Sequence, residues 1–119
     1  MGAMVVADGV QLDGGPLLTL NTAAPSKSKL TVGMRASALR VREQPGDIAL
    51  PGKVELTEIS GSDTFVHVHT LVGELVAQLT GVHYFELGAL VTVYFHPSQV
   101  YLFDADGMLL LAPVRGGVY

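Results

Sequence analysis

Apolar and β-branched residues fall in short runs along this chain, and Gly, Asp, Asn or Pro interrupts them about every ten residues. That rhythm is the mark of an all-β sandwich or barrel, and no 3.6-residue apolar period persists long enough for a helix. Strands are predicted over 4–6, 9–12, 17–20, 29–34, 52–59, 64–71, 73–79, 90–95, 100–103 and 108–111. Asp8-Gly9 and Asp13-Gly14-Gly15 are turn signals that make the first third a meander of short strands. In 63–71, Thr64, Val66, Val68 and Thr70 share one face; Phe65, His67, His69 and Leu71 share the other, buried at its ends and wet in its middle. Val72-Gly73 closes a tight hairpin, so a three-strand run over 53–79 is the expected centre of the domain. Only 35–39 and Pro97-Ser98-Gln99 read as single helical turns. Residues 43–47 form a polar loop, and 21–28, without apolar anchors, a loop over the surface rather than a domain linker.

Composition narrows the function. The 119 residues support one domain, and with 49% hydrophobic and 15% charged residues and 14 Gly the chain is folded rather than a disordered tail. A formal net charge of −4 argues against nucleic acid, whose phosphates call for clustered positive charge. With no Cys there is no disulfide, thiolate metal site or thiol nucleophile; the compartment leans to the cytoplasm. The longest apolar run, residues 108–112, is far short of the roughly 20 residues that span a bilayer. Residues 1–4 lack the features of a signal peptide and are set aside as a candidate cloning remnant.

Few residues carry obvious chemistry. His67 and His69 stand on one side of a strand ~7 Å apart, a spacing some strand-borne zinc sites use. A third ligand has to come from His83, His96 or a carboxylate, and the plainer reading is two histidines on a partly wet sheet face. Gly61-Ser62-Asp63 sets a Ser beside a carboxylate but lacks a strand-to-helix elbow, so it reads as a turn. Glu55 and Glu58, three apart on a strand, are expected on opposite faces, and Asp104-Ala105-Asp106-Gly107 reads as a turn; neither makes a general acid–base pair. Phosphate-cradling Gly loops are missing. No catalytic, cofactor-binding or metal-ligating set is assigned, which leaves binding, regulation or assembly.

The order of motifs from residue 30 to 111 resembles the C-terminal regulatory region, the TOBE or MOP-like OB-fold segment, of ATP-binding subunits of maltose-importer-type ABC transporters. Val32-Gly33-Met34-Arg35-Ala36-Ser37-Ala38-Leu39 is similar to that family's Val-Gly-Ile-Arg-Pro-Glu-His-Leu, and Gly52-Lys53-Val54-Glu55 to its Gly-x-Val-Glu strand. Gly61-Ser62-Asp63-Thr64 followed by Phe65-Val66-His67-Val68-His69 follows its Gly-Ser/His-Glu-Thr and Val/His strand; Phe103-Asp104 and Gly107 match its close. The matching residues are Gly33, Arg35, Gly61, Asp63, Thr64, His67, Phe103, Asp104 and Gly107. The first 28 residues also resemble the start of that region. Ala36-Ser37-Ala38, where relatives have Pro-Glu-His, removes a rigid φ, a charge and a polar ring, and Asp63 stands where relatives have Glu.

The resemblance implies a single regulatory and dimerisation domain over 1–119, not itself an enzyme, that supports ATP-driven uptake of carbohydrate or glycerol phosphate. It implies no cofactor here, ATP and Mg belonging to an ATPase domain this chain does not contain. The implied partners are a second copy, that ATPase domain and, indirectly, the membrane subunits, with no regulatory protein identified; the implied location is the cytoplasmic face of the membrane. Low charge and many β-branched residues independently favour a homodimer, since they leave apolar sheet surface. The alternative is an oxyanion-binding MOP module, molybdate-like in ligand, with Lys53, Ser62 and Thr64 as its candidate site. A metal enzyme using His67 and His69, and an oligonucleotide-binding OB domain, are the remaining classes; charge counts against the latter.

Overall fold

The structure is a computed structural model and describes residues 1–20, 22 and 24–113. Among these residues it has ten strands: β1 Gly2–Val6, β2 Gly9–Leu12, β3 Leu17–Leu18, β4 Lys29–Gly33, β5 Ile48–Ser60, β6 Asp63–Thr70, β7 Gly73–Thr80, β8 Leu90–Phe95, β9 Tyr101–Phe103 and β10 Leu109–Leu111. The two expected helical turns are short 3₁₀ segments, Ala36–Ala38 and Pro97–Gln99. The fold is all-β, as the alternation predicts, and every strand pairing is antiparallel.

The strands make two curled sheets. One has the order β10-β9-β4-β1-β2-β3, the other β7-β6-β5-β8. Alternation decides which side of each faces the core: Ala3 and Val5 of β1, Leu30 and Val32 of β4, and Thr64, Val66, Val68 and Thr70 of β6 are buried. Phe95, Leu12, Leu18 and Leu102 are the largest wholly enclosed side chains of a single cluster fed by both sheets. Residues 1–4, set aside in the sequence, are part of this frame. Ala3 is buried between Leu12 and Leu30 in register, and the Met1 ammonium donates to the Val32 carbonyl at 2.8 Å.

The expected centre over 53–79 is a β5–β6–β7 meander, but β5 is 13 residues long and starts four residues earlier than predicted. Its first part pairs with β8 and its second with β6, the two overlapping at Gly52 and Lys53. Before Gly52 the strand has β8 alone as a neighbour, which is why Pro51, without an N–H, interrupts nothing. Gly52 itself is obligatory: a Cβ there would lie 2.5 Å from Val68 Cγ1 and 2.6 Å from the His69 carbonyl oxygen.

Two irregularities shape the outer face of this sheet. The β5–β6 register shifts between Val54 and Leu56, a bulge that leaves Glu55 as the extra residue. The β6–β7 connection is Leu71-Val72, one residue earlier than the sequence suggests, with Thr70 facing Gly73 and His69 facing Glu74. Of the 21–28 loop, Asn21 and Ala23 lie outside the described residues. Contrary to expectation the loop has an apolar anchor, Ala24, which packs on the core, and the backbones of Lys27 and Ser28 bond to Val5.

Candidate functional site

The outer face of β5–β6–β7 gathers most of the ionisable side chains singled out in the sequence. His67 and His69 do share one side of β6, and they engage different carboxylates. His67 Nε2 is 2.7 Å from Glu58 Oε1. His69 stands with Glu55 and Glu74, one ligand-type atom from each lying within 4.8 Å of the others. The expectation that Glu55 and Glu58 point to opposite faces is therefore wrong. The bulge adds a residue between them, and both turn to the histidine side. His83 and His96 join neither group: His83 Nε2 contacts the Thr80 carbonyl, and His96 Nδ1 bonds to Ser98.

Glu55 carries the electrostatic signature of this crowding. A hydrogen bond with Glu74 raises its pKa above the usual carboxylate range; desolvation and the like charge of Glu74 add to the rise, while His69 and His67 oppose it. Glu74 escapes the sequence reading because the hairpin is placed one residue late there; a two-residue loop at 71–72 puts position 74 directly beside 69.

The residues that match the family motifs hold backbone and packing. Arg35 stacks over the Tyr101 ring at 6.0 Å, and Gly33 leaves room for Phe103. Gly61, at φ 60, makes the two-residue β5–β6 turn with Ser62, the geometry of a type II′ hairpin. Asp63 accepts from Gln78 Nε2 at 3.0 Å. Asp104 Oδ1 accepts from the backbone of Asp106 and Met108, closing the turn that contains Gly107, so Asp104 and Asp106 form no acid–base pair. Thr64 is wholly buried; its hydroxyl donates to the Gly81 carbonyl and accepts from the His83 N–H.

Thr64 therefore has no hydroxyl to offer a ligand. Lys53 and Ser62 lie at opposite ends of the β5–β6 hairpin, so Lys53, Ser62 and Thr64 do not assemble into an oxyanion site. Two concavities elsewhere bear on ligand binding or pairing. A cleft of about 270 Å³ is lined by Arg40, Arg42, Gln44, Gln78 and His83, a cationic lining in an acidic chain. Arg40 is engaged there with the buried carboxylate of Asp47 at 2.7 Å, which holds Asp47 below its ordinary pKa against the opposing effect of burial, while Arg42 makes no ion pair among the described residues. A groove of about 630 Å³ runs past Pro51, His69, Leu71, Leu90 and Val91, and Leu71 and Leu90 are 78% and 83% exposed beside it.

An OB-fold-like all-β frame whose motif residues hold turns and packing defines a binding or regulatory module. The chain belongs to the TOBE domain family, whose sequence profile matches residues 32–103. Among solved structures it is similar to the cytoplasmic molybdate-binding protein ModG in a form with molybdate bound; the TM-score is 0.64 at 17% identity, over 85% of this chain and 92% of that one. No curated protein matches it in sequence. The family match and the shared fold agree with the all-β, OB-like class expected from the sequence. Among the described residues no helix is long and apolar enough to cross a membrane.

Proposed function

We propose that this chain is a non-enzymatic regulatory module that pairs with a second copy of itself, serving the ATP-binding subunit of an importer for carbohydrate or glycerol phosphate. The observation that supports it is the coincidence of the family match over 32–103 with the ordered motifs from Val32 to Gly107. The exposed Leu71 and Leu90, with Tyr84 and Leu87 also largely bare, are the apolar surface that pairing would cover. ATP and Mg would be handled by an ATPase domain elsewhere in the same subunit, and the pair would sit at the cytoplasmic face of the membrane. Light scattering over a range of concentrations tests the pairing: a dimer that persists on dilution is expected, and a strict monomer overturns it. The importer context fails if the native gene carries no ATPase region and no ATPase gene lies beside it.

A second reading, a module that binds a small oxyanion, is favoured by the shared fold with ModG, described as a molybdate-binding protein. For this chain the cationic cleft at Arg40, Arg42 and His83 is the better candidate than Lys53, Ser62 and Thr64. Calorimetric titration with molybdate is expected to give saturable heat that Arg42→Ala removes; no heat eliminates the reading.

A further inference from the structure

We propose that the outer face of the β5–β6–β7 sheet binds one divalent transition-metal ion through Glu55, His69 and Glu74. One donor comes from each of three adjacent strands: a carboxylate from β5, an imidazole from β6 and a carboxylate from β7. Their ligand atoms already lie within 4.8 Å of one another. Donors about 2.0–2.2 Å from a zinc-sized ion stand at most ~4.4 Å apart across it, so small rotations of two exposed glutamates close the difference.

The backbone beneath is specific to this arrangement. The bulge turns Glu55 to the histidine side, and the two-residue hairpin sets Glu74 directly opposite His69. Two carboxylates gathered on the strands that flank β6 repel each other when both are ionised, a cost to the sheet that a bound cation would offset. Protein cations do not neutralise them: Arg40 is paired with Asp47, His67 is turned to Glu58, and Lys53, opposite His69 in register, pairs with neither carboxylate. The donor set selects the class of ion. An imidazole with two carboxylates suits Zn, Co or Ni, whereas Ca and Mg take oxygen donors. All three side chains are exposed, leaving the rest of the coordination sphere to water.

The test is calorimetric titration of the tag-free, chelator-treated full chain with zinc chloride, repeated with cobalt chloride and read by visible absorption. One equivalent is expected, with affinity falling roughly tenfold or more in His69→Ala and in the near-isosteric Glu55→Gln and Glu74→Gln, and unchanged in His96→Ala. Circular dichroism of each variant separates lost binding from lost fold. Absence of binding in the wild-type chain overturns the site. So does binding that survives His69→Ala and Glu74→Gln, or that is lost in His96→Ala, since either centres the ion elsewhere. Because His69 also lines the groove beside Leu71 and Leu90, the titration is repeated on the Leu71→Glu, Leu90→Glu double variant, where binding is expected to persist whether or not the wild-type chain pairs.

Discussion

Thr64 is one of the motif residues, and its use is internal. Its hydroxyl ties β6 to the loop that follows β7, through the Gly81 carbonyl and the His83 N–H. Thr64→Val keeps the shape and orphans both groups, so urea denaturation is expected to show a loss of about 1–3 kcal/mol, with Thr64→Ser losing less. Asp47 makes a second residue-level prediction. Its folded pKa lies below the unfolded one because Arg40 and the Gln44 N–H favour the carboxylate. Its contribution to stability is thus complete above the ordinary carboxylate pKa and disappears as pH falls through the lowered one. Thermal melts between pH 7 and 2 should show that acid-side decline, and Asp47→Asn should flatten it. Glu55 has the opposite sign. Its raised pKa means that ionisation beside Glu74 works against the fold as pH rises, so in the metal-free chain Glu55→Gln should melt higher than wild type at neutral pH and no higher in acid. None of these roles was legible in residue type alone. Thr64 and Asp47 owe their importance to partners 17 and 7 residues away, which only the folded register supplies.

Most strands were legible because one of their faces is dry. Alternation over 64–71 sorts the residues of β6 onto its two faces correctly, but the end expected to be buried at Leu71 is 78% exposed, in the turn beyond the strand. It misled at β5, where strict period-two counting carries no information about an inserted residue, and so Glu55 and Glu58 were assigned to opposite faces. It also starts that strand at Gly52, four residues late, because a proline usually argues against a strand and nothing local says that Pro51 has a neighbour on one side only. The same element yields a paired test. Gly52→Ala drives a Cβ into Val68 and the His69 carbonyl, a backbone atom that cannot swing aside, and should cost about 1–3 kcal/mol or more. Gly61→Ala meets nothing within 4 Å and incurs only the penalty of its positive φ, about 1–2 kcal/mol. Chemical denaturation of the two variants side by side should rank Gly52→Ala as the more damaging.

For the molecule as a whole, the proposed pairing is the property to perturb. Leu71→Glu with Leu90→Glu puts two charges on the bare groove, and light scattering should find the chain monomeric with its β-rich circular dichroism unchanged. The all-β class was visible from composition and turn spacing, whereas the sheet order was not. β4 lies between β1 and β9, and its partner Phe103 is some seventy residues beyond Thr31, a distance over which no local pattern reports. That placement also sets a timetable during synthesis. The β5–β6–β7 meander needs only neighbouring segments and can close while the chain is still on the ribosome, whereas one side of β4 waits for residues 101–103 to be made. Until then the first sheet has an open edge of unpaired N–H and C=O groups at β4, so the nascent protein is most prone to mispairing over the interval in which the second sheet is already in order.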